Sequence, residues 1–350
     1  MAANLSNVSN ATRKLLEIIG ISIAAIIVLS IAFNVSIAIK NILSPTPPAP
    51  PTVSFGKLSV VGFPPTSEYN TYSYTINTLS GSLPTLPDRI TVYQLVQAKP
   101  NLLGLDKATT LVQGLNFLDP PVALSETQYQ WSKTDPLPTT LTIDTQTFDF
   151  FLTSQYMSNQ TVIQAIHMPD EATAEDAAKQ FFTNFMPLPS SIDPAKTKTT
   201  LLAIQGNSLV PATSLSTAQL IRIDYFPKSV DTYPIYTSNP DKSLIYAMVA
   251  SSPTDSPQVV EAQYYHKEIS NTKATYPIIT ASQAFTLLKQ GKAYIAANPT
   301  HATQISITNV SLGYYVTSLP QKYLWPIIVF QGDQGFYAYV NAIQDKWLQP

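Results

Sequence analysis

The sequence predicts an α+β protein, with one N-terminal membrane-spanning helix followed by tandem units in which a helix precedes antiparallel strands. Three patterns predict it. Residues 18–39 form one uncharged apolar run, three later segments repeat apolar residues at three- and four-residue spacing, and the stretches between them alternate at period two. Helix-then-antiparallel-strands is an α+β order rather than that of a parallel α/β sheet.

The apolar run reads IIGISIAAIIVLSIAFNVSIAI, 22 residues between Glu17 and Lys40. At about 1.5 Å per residue it covers about 33 Å, enough for a hydrocarbon core of about 30 Å. Asn34, its most polar residue, lies toward the outer end, where the cost is smaller. Arg13 and Lys14 precede the run and only Lys40 closely follows it. The positive-inside rule therefore makes residues 1–14 a cytoplasmic tail and 15–40 the anchor, with everything beyond outside the cytoplasm: a single-pass cell-membrane protein whose lipid contact is residues 18–39. A cleaved signal peptide is the competing reading, but those apolar regions run about 7 to 15 residues, and IAIKNILS offers a poor cleavage site. Residues 41–54 form a linker whose SPTPPAPPT favours polyproline II, a stiff spacer.

The remaining length suits two folded units, 55–160 and 161–350, because MSNQTVIQAIHMPDEAT breaks both periods near residues 157–170. Leu105, Ala108, Leu111, Val112 and Leu115 mark a first helix with Asp106 near its start. Ala174, Ala177, Ala178, Phe181, Phe182 and Phe185 mark a second, with Thr173 as N-cap. Ala281, Ala284, Phe285 and Leu288 mark a third, with Thr280 and Gln283 as a capping box and Gly291 as C-cap. Strand faces follow from Tyr129 with Trp131, Leu141 with Ile143, and Ile221 with Ile223 and Tyr225. LIYAMVA, 244–250, is apolar on both faces, as a central strand would be. Ile305 and Ile307 are out of phase with Val310, Leu312 and Tyr314, so a bulge belongs near Thr308 and Asn309. WPIIVFQ, GDQG and FYAYVNAI read as a hairpin with Gly332 and Gly335 supplying positive φ.

Composition excludes several classes of function. Charged residues are only 12% of the chain, and past residue 40 there are 17 basic against 21 acidic residues, so nucleic acid finds no basic footprint. The lack of cysteine removes thiol catalysis and zinc-thiolate sites. His167, His266 and His301 have no metal-ligand spacing, and His266 alternates with Tyr264 and Val260 as a packed residue would. Ser270-Asn-Thr-Lys273 satisfies Ser-x-x-Lys without its companion motifs. Asp170, Glu171, Glu175 and Asp176 could form a cation or acid–base cluster, but the dipole of the helix they begin explains them. Asn159 and Asn309 open short glycosylation-type matches. No catalytic, cofactor-binding or metal-binding residue is assigned. Tyr314, Tyr315, Tyr323, Trp325, Tyr337 and Tyr339 are the candidate binding residues, since Tyr and Trp suit surfaces apolar at one end and wet at the other.

YPIITASQAFTLLKQGKAYI, ITNVSLGYYV, YLWPIIVFQG and FYAYVNAI, within residues 276–343, resemble the last repeat of PepSY-like extracytoplasmic proteins of the YycH/YycI regulatory type. ITVYQLVQ, the helix at 105–115, YQW at 129–131 and LTIDTQTFDFFLT at 141–153 form a weaker echo. The resemblance implies a tethered, non-catalytic module that contacts another envelope or membrane protein, with no cofactor, and modulates a sensor kinase or an envelope enzyme. The alternatives are a ligand or glycan binder using its aromatic side chains as platforms, and an enzyme of unrecognised class.

Overall fold

Residues 18–39 are apolar on every side, and in the computed structural model, which describes residues 5–43, 50–65, 72–164, 168–251 and 256–349, they lie within one helix, α1 (Leu5–Leu43). Its stretch Ile18–Ser36 has a mean hydropathy of 2.6 and is long and apolar enough to cross a membrane. The polar groups inside it bond back to the helix: Ser22 Oγ donates to the Ile18 carbonyl, Asn34 Nδ2 to Ser30 and Ser36 Oγ to Phe33. Hydrocarbon demands such internal satisfaction. The chain divides into a unit ending at Pro50 and a unit beginning at Pro51. Most of the expected polyproline spacer lies outside the described residues.

The second unit starts earlier than the linker boundary at residue 54 implied. Thr52 and Thr275 exchange N–H to Oγ1 bonds at 3.0 Å, and the Val53 N–H donates to the Thr275 carbonyl. From there the chain forms β1 (Ser73–Ile76), β2 (Arg89–Leu95), α2 (Gly104–Gln113), β3 (Val122–Ala123), β4 (Gln128–Lys133), β5 (Thr139–Asp144), β6 (Phe150–Ser154) and the short α3 (Gln160–Ile163). Then come α4 (Glu171–Phe185), β7 (Ile192–Gln205), β8 (Ser208–Pro211), β9 (Leu220–Pro227), β10 (Ile235–Tyr236), β11 (Ile245–Ser251) and β12 (Pro257–Tyr264). The last run is β13 (Ile269–Pro277), α5 (Ala281–Lys289), β14 (Tyr294–Ala297), β15 (Gln304–Tyr315), β16 (Tyr323–Gly332) and β17 (Tyr337–Asn341).

Among the described residues the strands make two sheets. A nine-stranded antiparallel sheet runs β3-β4-β5-β6-β12-β11-β9-β7-β8. An eight-stranded sheet is built on β1-β15-β16-β17-β14, with β10 pairing β15 and β13 pairing β2, which pairs β16. β1 and β10 run parallel to opposite ends of β15, and the other pairings are antiparallel. The sheets partition the chain differently from the units 55–160 and 161–350. β6 pairs β12, joining Thr153 to Glu261 across the expected boundary, and β2 pairs β13. The period break near residue 160 is only the turn into α3 and α4.

Within the second unit each helix lays its apolar side chains on a sheet. Ala108 and Val112 of α2, and Ala174, Ala178, Phe182 and Phe185 of α4, pack with Ile221, Ile223, Ala247 and Val249. On the opposite face Tyr156 and Val162 cover Leu220, Met248 and Ala250. β11 is therefore buried throughout, as its double apolar face requires. The α4 N-cap is Asp170 rather than Thr173: its carboxylate accepts the Thr173 N–H at 2.7 Å. In α5 the Thr280–Gln283 capping box forms, and Gly291, just past the helix, takes φ +70°. β15 and β16 slip register between Ile307 and Asn309, the bulge the phase change implied. In the final hairpin the positive φ values fall on Gln334 and Gly335, because Gly332 is still extended strand.

Candidate functional site in the cleft between the sheets

The chain crosses between the sheets at Val96–Leu103, on either side of β10, and at Tyr265–Glu268. The last crossing separates two cavities. A cleft of about 450 Å³ opens between Leu95–Ala98 and Ser318–Gln321 on one side and the β5–β6 turn on the other. A chamber of about 130 Å³ lies behind it, and Tyr265, His266 and Lys267 line both.

Asp149 is set in the cleft by the local sequence FDFF, in which it is the one charge among three Phe side chains. It is buried, and its carboxylate accepts the His266 backbone N–H at 2.9 Å with Lys267 Nζ 3.8 Å away. Burial holds its pKa above the usual carboxylate value, against the pull of Lys267 and of those hydrogen bonds. Asp144 is committed to the turn: one carboxylate oxygen accepts the N–H groups of Gln146 and Thr147, and the other accepts the Thr127 hydroxyl at 2.8 Å. Burial lowers the pKa of His266, with Glu268 opposing and Lys267 reinforcing the shift, so the ring is neutral at pH 7. The connection into α2 passes close by. A Cβ at Gly104 would collide with the Thr145 carbonyl, so only glycine permits that approach. The rim is apolar where Val96 and Leu319, 50% and 64% exposed, line it.

The residues singled out by sequence lie elsewhere. Tyr314, Tyr315, Tyr323, Trp325 and Tyr339 are buried and Tyr337 is half-buried, which corrects their reading as a binding surface. Alternation suggested that half would be core, but this sheet is covered on both faces. Tyr314 meets Tyr93 and Tyr233, while its neighbour Tyr315 meets Phe63 and Tyr339. Ser270 Oγ accepts the Thr272 N–H, and Lys273 lies over the Tyr93 ring, so the Ser-x-x-Lys match is an irregularity in β13. Asp170 caps α4 and Glu175 accepts the Thr199 hydroxyl. His301 is exposed on a turn, and His167 lies outside the described residues. Asn159 caps α3, and Asn309 donates to the Gln331 side chain.

A second buried charge cluster was missed, although IRIDYF places opposite charges two residues apart on one strand face. Arg222 Nε and Nη2 donate to the two oxygens of Asp224 at 2.7 and 2.8 Å, and Asp224 also accepts the Ser243 N–H. The guanidinium lies 3.5 Å from the Tyr246 ring centre. Tyr246 and Tyr156 both donate to Glu261, at 2.7 and 3.0 Å.

No family model and no curated protein matches the chain. Solved structures similar to it include an uncharacterized protein from Eubacterium rectale, 12% identical with a TM-score of 0.33 over 72% of this chain and 82% of that one. The Bacillus megaterium YpeB C-terminal domain is 13% identical with a TM-score of 0.34, over 71% of this chain and all of that one. Likenesses this low leave the function to be argued from the residues.

Proposed function

We propose that this chain is a membrane-anchored module that works outside the cytoplasm by contact with another envelope or membrane protein, without catalysis. α1 is the anchor, with residues 1–14 cytoplasmic, and each of α2, α4 and α5 opens a PepSY-like helix-plus-strands unit. The regulatory character belongs to the same reading. The observation that carries the contact is the apolar rim of the cleft, where Val96 and Leu319 expose large side chains beside a polar floor. Exposed apolar groups gathered at a concave site are a signature of binding surfaces.

The test is photo-crosslinking in intact membranes from residues 96 and 319, with Leu79, fully exposed but outside the cleft, as the control position. A discrete adduct from 96 and 319 but not from 79 supports the reading. Equal adducts from all three, or none, sink it. A catalytic reading draws on one observation, the buried Asp149 carboxyl in the cleft. Under it Asp149→Asn abolishes turnover of a substrate by the purified chain, and under the contact reading there is no turnover to lose.

A further inference from the structure

The cavities on either side of Tyr265–Lys267 differ in chemistry. The chamber of about 130 Å³ is walled by apolar side chains, among them Ile192, Leu244, Ile245, Val316 and Leu324. Among the described residues its charged lining is Lys228 and Lys267, with no carboxylate. An apolar cavity of about 150 Å³ admits benzene, so this chamber takes one group the size of a branched or aromatic side chain. Lys267 also lines the larger cleft, where its side chain is only 16% exposed. The carboxylate it approaches, Asp149, stands at 3.8 Å, outside hydrogen-bond distance, and among the described residues its ammonium has no hydrogen-bond acceptor. An ammonium whose ion-pair partner stands beyond hydrogen-bond distance is still free to donate its protons to an anion.

We propose that the paired cavities bind a small apolar carboxylate, either a free acid or the C-terminal residue of a peptide, with its apolar group in the chamber and its carboxylate on Lys267. The proposal rests on the cleft as the contact site and names the chemistry recognised there. Lys228, exposed at the chamber mouth, adds a second positive charge of the same sign. Tyr265 and His266 line both cavities beside Lys267.

The experiment uses the full chain in lipid nanodiscs. Calorimetric titrations compare 4-methylpentanoate with its primary amide, and short peptides ending in leucine with a free or an amidated C-terminus. At least one acid binds saturably, and its amide binds weaker by about tenfold or more. Lys267→Gln removes the difference between acid and amide, and Lys267→Arg keeps it. Binding of the free acid alone identifies a small-molecule source, and binding of the peptide acid alone identifies a protein C-terminus. Equal binding of acid and amide, or binding of neither acid, overturns the proposal. The acid–amide comparison needs no variant, so misfolding of Lys267→Gln does not obscure the outcome. The crosslinking result separates the two claims. Adducts from 96 and 319 without acid binding leave the contact site standing and remove only its ligand chemistry.

Discussion

His266 ties the crossing between the sheets to the larger one twice, through a backbone N–H given to Asp149 and through a half-buried ring near Tyr264. Its pKa lies below the ordinary value of 6.5 because burial disfavours the imidazolium. The unfolded chain therefore binds the proton more readily than the folded one. That contribution to stability is complete above the unfolded pKa and is lost as pH falls through 6.5 toward the folded value. Asp149 has the opposite sign. Its raised pKa means that the folded state holds the proton more tightly, so its contribution is complete below 3.8 and is lost as pH rises through the folded value. His266→Gln keeps the backbone bond and removes the titration. Denaturant midpoints measured from pH 7 to 5 are expected to fall less steeply for the variant than for the parent, and parallel slopes would remove His266 from the pH dependence.

Strands β9, β11 and β12 are tied together on one face by charge as well as by their ladder. Asp224 is fully buried, and its partners are the Arg222 guanidinium and the Ser243 N–H. Removing one member of such a pair strands the other in low dielectric, a loss of about 3–5 kcal/mol, whereas replacing both by apolar residues costs far less. Asp224→Leu is therefore expected to destabilise more than Arg222→Leu with Asp224→Leu together, the Ser243 N–H being orphaned in both. Denaturant unfolding of these two variants and of Arg222→Leu alone measures this, and additive losses would mean that Arg222 and Asp224 are not energetically coupled. The sequence already carried this pair in IRIDYF, as it carried the Thr280–Gln283 box, the double apolar face of β11 and the phase slip at Thr308–Asn309. All of these are local patterns. Less legible were features settled by distant chain. Asp170 and Thr173 are both good cap formers, and only the helix start decides between them. The burial of Tyr314 and Tyr315 depends on Tyr93, Tyr233 and Phe63, which no period in β15 encodes. Asp149 and Lys267 meet across more than a hundred residues, so the cleft had no signature within a single segment.

Over the whole second unit, topology forbids a cut at residue 160. A fragment covering 55–160 would keep β2 to β6 but lose β12 from the side of β6, and β13 and β16 from β2. The β6 edge then exposes backbone N–H and C=O groups, and Phe150 and Leu152 lose Ala262, Tyr264 and the α4 stripe that bury them. The complementary fragment, 161–350, loses one whole side of its larger sheet. Unsatisfied edges with large apolar faces pair indiscriminately, so each fragment is expected to aggregate or to lack a cooperative transition. Residues 51–350 are expected to unfold cooperatively, because Thr52 and Val53 are already hydrogen-bonded to Thr275, and Leu58 is clamped between the Trp347 carbonyl and the Gln349 N–H. Circular dichroism and thermal melts of the three chains decide the matter. A soluble, cooperatively melting 161–350 would show that the smaller sheet and half of the larger one suffice as an independent domain. It would also move the crossing at Tyr265–Glu268 from the middle of one folding unit to the border of another.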